Sequence, residues 1–487
     1  MGNDRGQSTI EWLGVAAVVV AALAVLLATD LARPVTTAVT GLVCRVAGSG
    51  CEGEGTGGGG GDPAAARAGD DEGTAGLGPE DQRSGATDGD DVLDAEEHAA
   101  IAAVLDSGDP AAIHDALSGL SDAEAAAAVA ALRDQIALTD GVPQPLRVAA
   151  NSERITAHIA ELEAALAALD AGDDGGILGA VEDFVEGHNP TPDFVFGEPA
   201  PDTPAEQAAL LEQRIAMLEG WIADDRQIIA FEPPTTLLGG DARIVEVFGD
   251  LETADHVGVL VPGITTDLDS YEGGLATSAR DFRGAAGEST AVVAHLGYDA
   301  PDSLTDGATL TGERARGAAP DLAGFVNSLD ADGRDRDVTL VGHSYGSRVA
   351  AEATQLGTDV DNLVLIGSPG TGVETAGDLG VDPQDVYIGR NGDDPIRHVG
   401  TIEGGVDGVL GGIDDVLGTD LDTGDLGHGR DPVDDGYGGQ LIDAPPTGGH
   451  GGYFDPLAGV GESVVAIIDG RPEDAHVAAD RGAGTPR

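Results

Sequence analysis

The 487-residue chain contains no lysine, so all 24 of its basic side chains are arginines. Against them stand 87 acidic residues and a net charge of −63. A field of that sign repels nucleic acid and anionic headgroups, which excludes both as partners. Aromatic residues make up only 3% of the chain, so the core must be built from Leu, Val, Ile and Ala. The two cysteines, Cys44 and Cys51, cannot make a zinc site by themselves, and a bridge between them would close too short a loop to stabilise much. Gly367–Gly372 lacks the lysine and spacing of a phosphate-binding loop. The acidic cluster Asp414, Asp415, Asp420, Asp422 and Asp425 lacks EF-hand spacing and reads as part of a solvated lid. No cofactor and no metal are therefore expected.

What is present begins with an uncharged apolar run, Trp12–Ala28. With Thr29 it would span about 27 Å as a helix, enough for the core of a bilayer. It is preceded by Arg5-Gly6-Gln7-Ser8-Thr9-Ile10-Glu11. This stretch resembles the leader of type IV pilin-like and Tad-type pseudopilin proteins, with Gly6 before the cut and Glu11 as the fifth mature residue. The resemblance implies processing after Gly6 by a prepilin-type peptidase. It also implies a single-pass membrane anchor over residues 1–29, with the rest of the chain outside the cytoplasm.

Residues 30–90 are rich in Gly, Asp, Glu and Ala and read as a flexible, self-repelling tether. Residues 91–225 carry helical signals. Ser121-Asp122-Ala123-Glu124 is a capping box, and Thr203-Pro204-Ala205-Glu206 combines a cap, proline at N1 and a carboxylate at N3. The stripes Ile155, Ile159, Leu162, Leu166, Leu169 and Leu211, Ile215, Leu218, Ile222 predict two long helices that pack together.

From about residue 226 to 472 the period becomes strand-like. The strand candidates are Arg243–Phe248, His256–Val261, Ala291–Leu296, Val338–Val341, Asn362–Ile366 and Val386–Gly389. Near-continuous aliphatic runs separated by helical segments predict a doubly wound, mostly parallel α/β sheet. Residues 473–487 read as a disordered tail. Within the sheet, Val338–Val341 leads into Gly342-His343-Ser344-Tyr345-Gly346 and then a helix-forming run. That is the strand–turn–helix context of a nucleophile elbow, in which Gly342 and Gly346 supply the room and Ser344 the nucleophile. The acid and base should follow in chain order. Asp394, with Asp393 as its rival, lies in the turn after a late strand. Of the later histidines, His398 sits too close to the acid and His476 in the polar tail. His428 is in a Gly/Asp-rich segment with no core nearby, which leaves His450, in the loop before the apolar run Val464–Ile468. An oxyanion hole would use the N–H of Tyr345 and that of Gly263 or Ile264.

These motifs belong with others: Asp225–Phe231, Ala254–Gly263, Leu296-Gly297-Tyr298-Asp299-Ala300-Pro301 and Gly392-Asp393-Asp394-Pro395. Upstream lie Asp140-Gly141-Val142-Pro143, Arg147, Ala149 and Asn151. Together they resemble an uncharacterised α/β-hydrolase family of high-GC Gram-positive bacteria, over about Ile215 to Gly470. The long segment Gly400–Gly449 and the pilin-like anchor depart from that family. The expectation is a membrane-anchored, extracytoplasmic serine hydrolase acting on small-molecule or lipid esters. The competing reading is a non-catalytic surface or pilus-associated protein that reuses the fold for binding.

Overall fold

The computed structural model describes residues 93–170, 201, 203–303, 309, 312–398 and 428–478. The apolar run Trp12–Ala28, its leader, the tether and the aspartate cluster at 414–425 lie outside the described residues. Among the described residues no helix is long and apolar enough to cross a membrane.

Eight strands form one sheet among the described residues: β1 Ile228–Glu232, β2 Arg243–Phe248, β3 His256–Val261, β4 Thr290–Leu296, β5 Asp337–His343, β6 Asn362–Ile366, β7 Val386–Gly389 and β8 Gln440–Leu441. Their spatial order is β1-β2-β4-β3-β5-β6-β7-β8. The pairs β1–β2 and β2–β4 are antiparallel, and from β4 onward all pairs are parallel. All six expected strands are present, and the mostly parallel sheet is as expected. The sequence reading missed β1 and β8. The first sits inside a motif that was not assigned to a strand, and the second is only two residues long.

Alternation along the strands builds the two faces. Val259, Leu340, Leu363 and Leu365 point into one core, with Ala350 and Ala353 from the helix Tyr345–Gln355 and Leu322 from the helix Glu313–Asn327. Leu260, Val341, Val364 and Ile366 point into the other, under Val464, Ile467 and Ile468 of the helix Gly459–Ile468. A strand buried on both faces has no polar side to alternate with, which is why these runs are continuously aliphatic.

The helical region is joined to the sheet. The helices Asp122–Leu138 and Pro204–Ala223 open on the expected capping boxes at Ser121 and Thr203. Both predicted stripes are core: Ile155 and Leu162 of the helix Gln144–Asp170, with Leu211 and Leu218, share the second sheet core. The Arg147–Asn151 motif now has a physical reason. β1 is an edge strand, and its outer backbone groups are met by side chains from one face of the helix Gln144–Asp170. Arg147 donates to the Ile229 carbonyl at 2.8 Å and Arg154 to the Phe231 carbonyl at 3.0 Å. The amide oxygen of Asn151 accepts from the Phe231 N–H at 2.9 Å. An open edge is a template for mispairing, and this helix closes it.

Two expectations need correction. Residues 473–478, taken as part of a disordered tail, are ordered. They form a short 3₁₀ turn at Pro472–Asp474 and a bridge between Val477 and Ile442. The reason is docking: Asp443 N–H donates to the His476 carbonyl at 2.7 Å, and His476 N–H donates to the Ser463 hydroxyl at 3.1 Å. His428, expected to lie away from any core, is only 1% exposed. Its ring meets the Tyr345 ring edge-on at 5.6 Å.

Candidate active site

The nucleophile candidate sits where β5 ends and the helix Tyr345–Gln355 begins. Ser344 has φ 53° and ψ −126°, a strained conformation for a side chain that is not glycine. Pairing holds it there: its N–H donates to the Ile366 carbonyl at 3.0 Å. The flanking glycines are needed for close approach. A Cβ at Gly346 would lie 2.3 Å from the Pro262 carbonyl oxygen, and one at Gly342 2.5 Å from Ser347 Cα.

His450 reaches this serine from 106 residues further along the chain, with Nε2 2.8 Å from Ser344 Oγ. Its Nδ1 lies 3.0 Å from each carboxylate oxygen of Asp394. An ionised carboxylate only accepts, so the Nδ1 proton faces Asp394 and Nε2 is left to accept from the serine hydroxyl. The His450 side chain is 19% exposed and that of Asp394 is fully buried. Burial opposes the charge of Asp394, but hydrogen bonds from His450, Tyr453 and the Ile396 N–H outweigh it and hold its pKa below the usual carboxylate value.

The rival acid has a different task. Asp393 accepts from the Gly449 N–H at 2.7 Å, holding the loop that carries His450. Asn391 adds to that hold, donating to the Gly449 carbonyl at 3.0 Å. The turn Asn391–Asp394 thus fastens both the ring and the backbone of the same loop.

Three neighbours of the site went unnoticed as such in the sequence. Tyr453 is fully buried and donates its hydroxyl to Asp394 while accepting from the Asn391 N–H at 3.2 Å. Gly367, with φ +56°, lies so close that a Cβ there would sit 2.9 Å from the Tyr453 ring and 3.3 Å from both Asp394 Oδ2 and His450 Cε1. His343, the second residue of the elbow motif, has its Nε2 2.9 Å from the His450 carbonyl. His343 and Gly367 stand inside stretches already singled out, and Tyr453 follows His450 by three residues. Their roles depend on chain segments far apart in sequence, so spacing could not show them.

The oxyanion-hole candidates also converge. Tyr345 follows Ser344 directly, and Gly263 backs onto it: a Cβ on Gly263 would lie 2.6 Å from Ser344 Cβ. Ile264, 8% exposed, is next in the same loop after β3. Among the described residues no cluster of three or more His, Cys, Asp or Glu could hold a metal ion.

Residues 239–404 match a family of proteins described as "Alpha/beta hydrolase". An uncharacterised protein of Mycobacterium bovis is 34% identical over 221 residues, covering 37% of this chain and 82% of that protein. An uncharacterised protein of Mycobacterium tuberculosis is 32% identical over 229 residues, or 43% of this chain, but this chain spans only 33% of that relative's length. Among solved structures, a serine hydrolase without a lid from Xanthomonas campestris shares 14% identity over 54% of this chain and 97% of that one. The TM-score of that match is 0.28.

Proposed function

Because the chain belongs to the alpha/beta hydrolase family, we propose that it is a serine hydrolase cleaving an ester or related acyl bond with Ser344, His450 and Asp394. The observation that carries this reading is the unbroken chain of contacts Ser344 Oγ–His450 Nε2 and His450 Nδ1–Asp394, at 2.8 and 3.0 Å.

In the proposed reaction Ser344 Oγ attacks the substrate carbonyl and its proton passes to His450 Nε2. Asp394 stabilises the imidazolium that forms and keeps the ring oriented. The tetrahedral oxyanion is met by the N–H of Tyr345 and that of Gly263 or Ile264. Collapse breaks the acyl–oxygen bond, and the leaving alcohol takes the proton from His450. Water, deprotonated by the same imidazole, then adds to the acyl-serine, and a second collapse returns the proton to Ser344 Oγ. No cofactor is required by this scheme.

The substrates proposed are small-molecule or lipid esters. We also propose that the N-terminal run anchors the enzyme in the cell membrane with its catalytic part outside the cytoplasm, after processing behind Gly6. Labelling with a fluorophosphonate tests the chemistry. The parent should label and the Ser344→Ala variant should not, with ester turnover lower by up to about a millionfold. Equal labelling of both proteins would dismiss the serine hydrolase reading. Fractionation of cells tests the anchor: a product that is soluble and retains Met1 would dismiss it.

A further inference from the structure

We infer that Tyr298 is a positioning residue that braces both halves of the oxyanion hole, an inference that rests on the hydrolase reading above. Its hydroxyl donates to the Pro262 carbonyl at 2.6 Å. That carbonyl and the N–H of Gly263 belong to one planar peptide unit, so fixing the one fixes the direction of the other. The ring of Tyr298 lies stacked on the ring of Tyr345, with centroids 6.4 Å apart and planes 22° from parallel. Tyr345 supplies the other proposed N–H. One buried side chain, 4% exposed, therefore touches both segments that present the donors.

The segment bearing Tyr298 is itself held. The Pro301 carbonyl accepts from the Thr265 N–H at 2.8 Å, a second tie to the same loop. Arg314, from the helix Glu313–Asn327, pairs with Asp299 at 2.5 Å. The loop needs such support, because Thr265 sits at φ +62°, a conformation that costs a residue with a branched Cβ and persists only when its surroundings enforce it. On the far side, Tyr345 is closed in by His428, and its hydroxyl accepts from the Ala315 N–H at 3.2 Å. Burial, with the nearby Tyr345, pushes the Tyr298 phenol well above its ordinary value, so the group remains a donor at any working pH. If Tyr298 served packing alone, phenylalanine would fill the same space without a buried hydroxyl to satisfy.

Tyr298→Phe separates these roles, because it keeps the ring and removes only the hydroxyl. On a p-nitrophenyl ester, kcat should fall about 10- to 100-fold, less than the loss of an oxyanion donor itself, while KM stays within about threefold. Affinity for a trifluoromethyl ketone, which adds Ser344 and places an oxyanion in the hole, should fall by a similar factor. Rates are expressed per serine titrated with fluorophosphonate, so an incompletely folded preparation does not imitate the loss. A kcat and a ketone affinity both within twofold of the parent would overturn the inference, as would a lower melting temperature with kcat unchanged. The Ser344→Ala control separates the two levels. Turnover by the parent that survives Ser344→Ala removes the hydrolase reading itself, and this inference with it.

Discussion

His343 Nε2 and the carbonyl oxygen of His450 lie 2.9 Å apart, so the residue before the proposed nucleophile holds the backbone of the proposed base. A carbonyl can only accept, so His343 donates from Nε2. Burial, with the neighbouring His450, depresses the His343 pKa to about 4, and the ring is neutral at the pH where the site would work. It is a tether that adds no charge beside the imidazolium formed in the reaction.

His343→Ala should cut that tether and lower kcat about 10- to 100-fold through misplacement of His450, with little change in fluorophosphonate titre at long times. His343→Gln, which keeps a donor at similar reach, should recover most of the loss. Steady-state kinetics on one ester decide it, and equal rates for the alanine variant and the parent would deny the role.

The division of labour between Asp393 and Asp394 predicts unequal variants. Asp394→Asn should lower kcat about 10⁴-fold, because an amide in place of the carboxylate disfavours the tautomer the reaction needs. Asp393→Asn retains an oxygen for the Gly449 N–H and should stay within about threefold of the parent. The reverse order in kcat measurements would move the acid by one residue.

Stability should fall as the solution is acidified below neutrality. Burial holds His295 at about 4 and His428 at about 3 in the folded protein. The unfolded chain takes up these protons near pH 6.5, so below that point it binds more protons than the folded state. The stabilising contribution is complete above about pH 6.5 and is lost as pH falls toward the folded values, at up to about 1.4 kcal/mol per pH unit for each histidine. Asp140, Asp330, Asp337 and Asp385 are shifted upward, chiefly by burial, and act in the opposite sense, nearer the carboxylate range. Urea unfolding at steps between pH 4.5 and 8 isolates the histidine share: His428→Gln should flatten the slope, and an unchanged slope would count against it.

Asn151 should matter to stability out of proportion to its size. It is fully buried, donates to the carbonyls of Ala137 and Arg147 at 3.0 and 2.8 Å, and satisfies the Phe231 N–H on the sheet edge. Asn151→Ala strands that N–H and the Ala137 carbonyl, whereas the Arg147 carbonyl keeps the helical N–H of residue 151. The substitution should cost about 2–4 kcal/mol in denaturant unfolding. A loss below about 0.5 kcal/mol would mean water reaches the edge and the helix is not its cover.

The sequence by itself determined the features that are local or periodic. Aliphatic runs long enough to be buried on both faces identified six strands, capping boxes identified helix starts, and Gly342 and Gly346 around Ser344 identified the turn. Each of these is written in a few neighbouring residues, where steric and hydrogen-bonding rules apply directly. Chain order and loop position also selected His450 and preferred Asp394, the pair that the fold brings to Ser344. Tertiary structure alone decided the rest. Asp393 and Asp394 look alike in sequence, and only the approach of residues 448–453 distinguishes the group that meets a ring from the one that meets a backbone N–H. What Tyr298, His343 and Tyr453 do is decided by loops and turns distant in sequence, which place a carbonyl or a carboxylate within reach of each. His428 sits in a stretch as polar as any solvated loop, yet it packs on Tyr345. Composition describes a segment's average, whereas burial is settled by the one side chain that the sheet happens to receive.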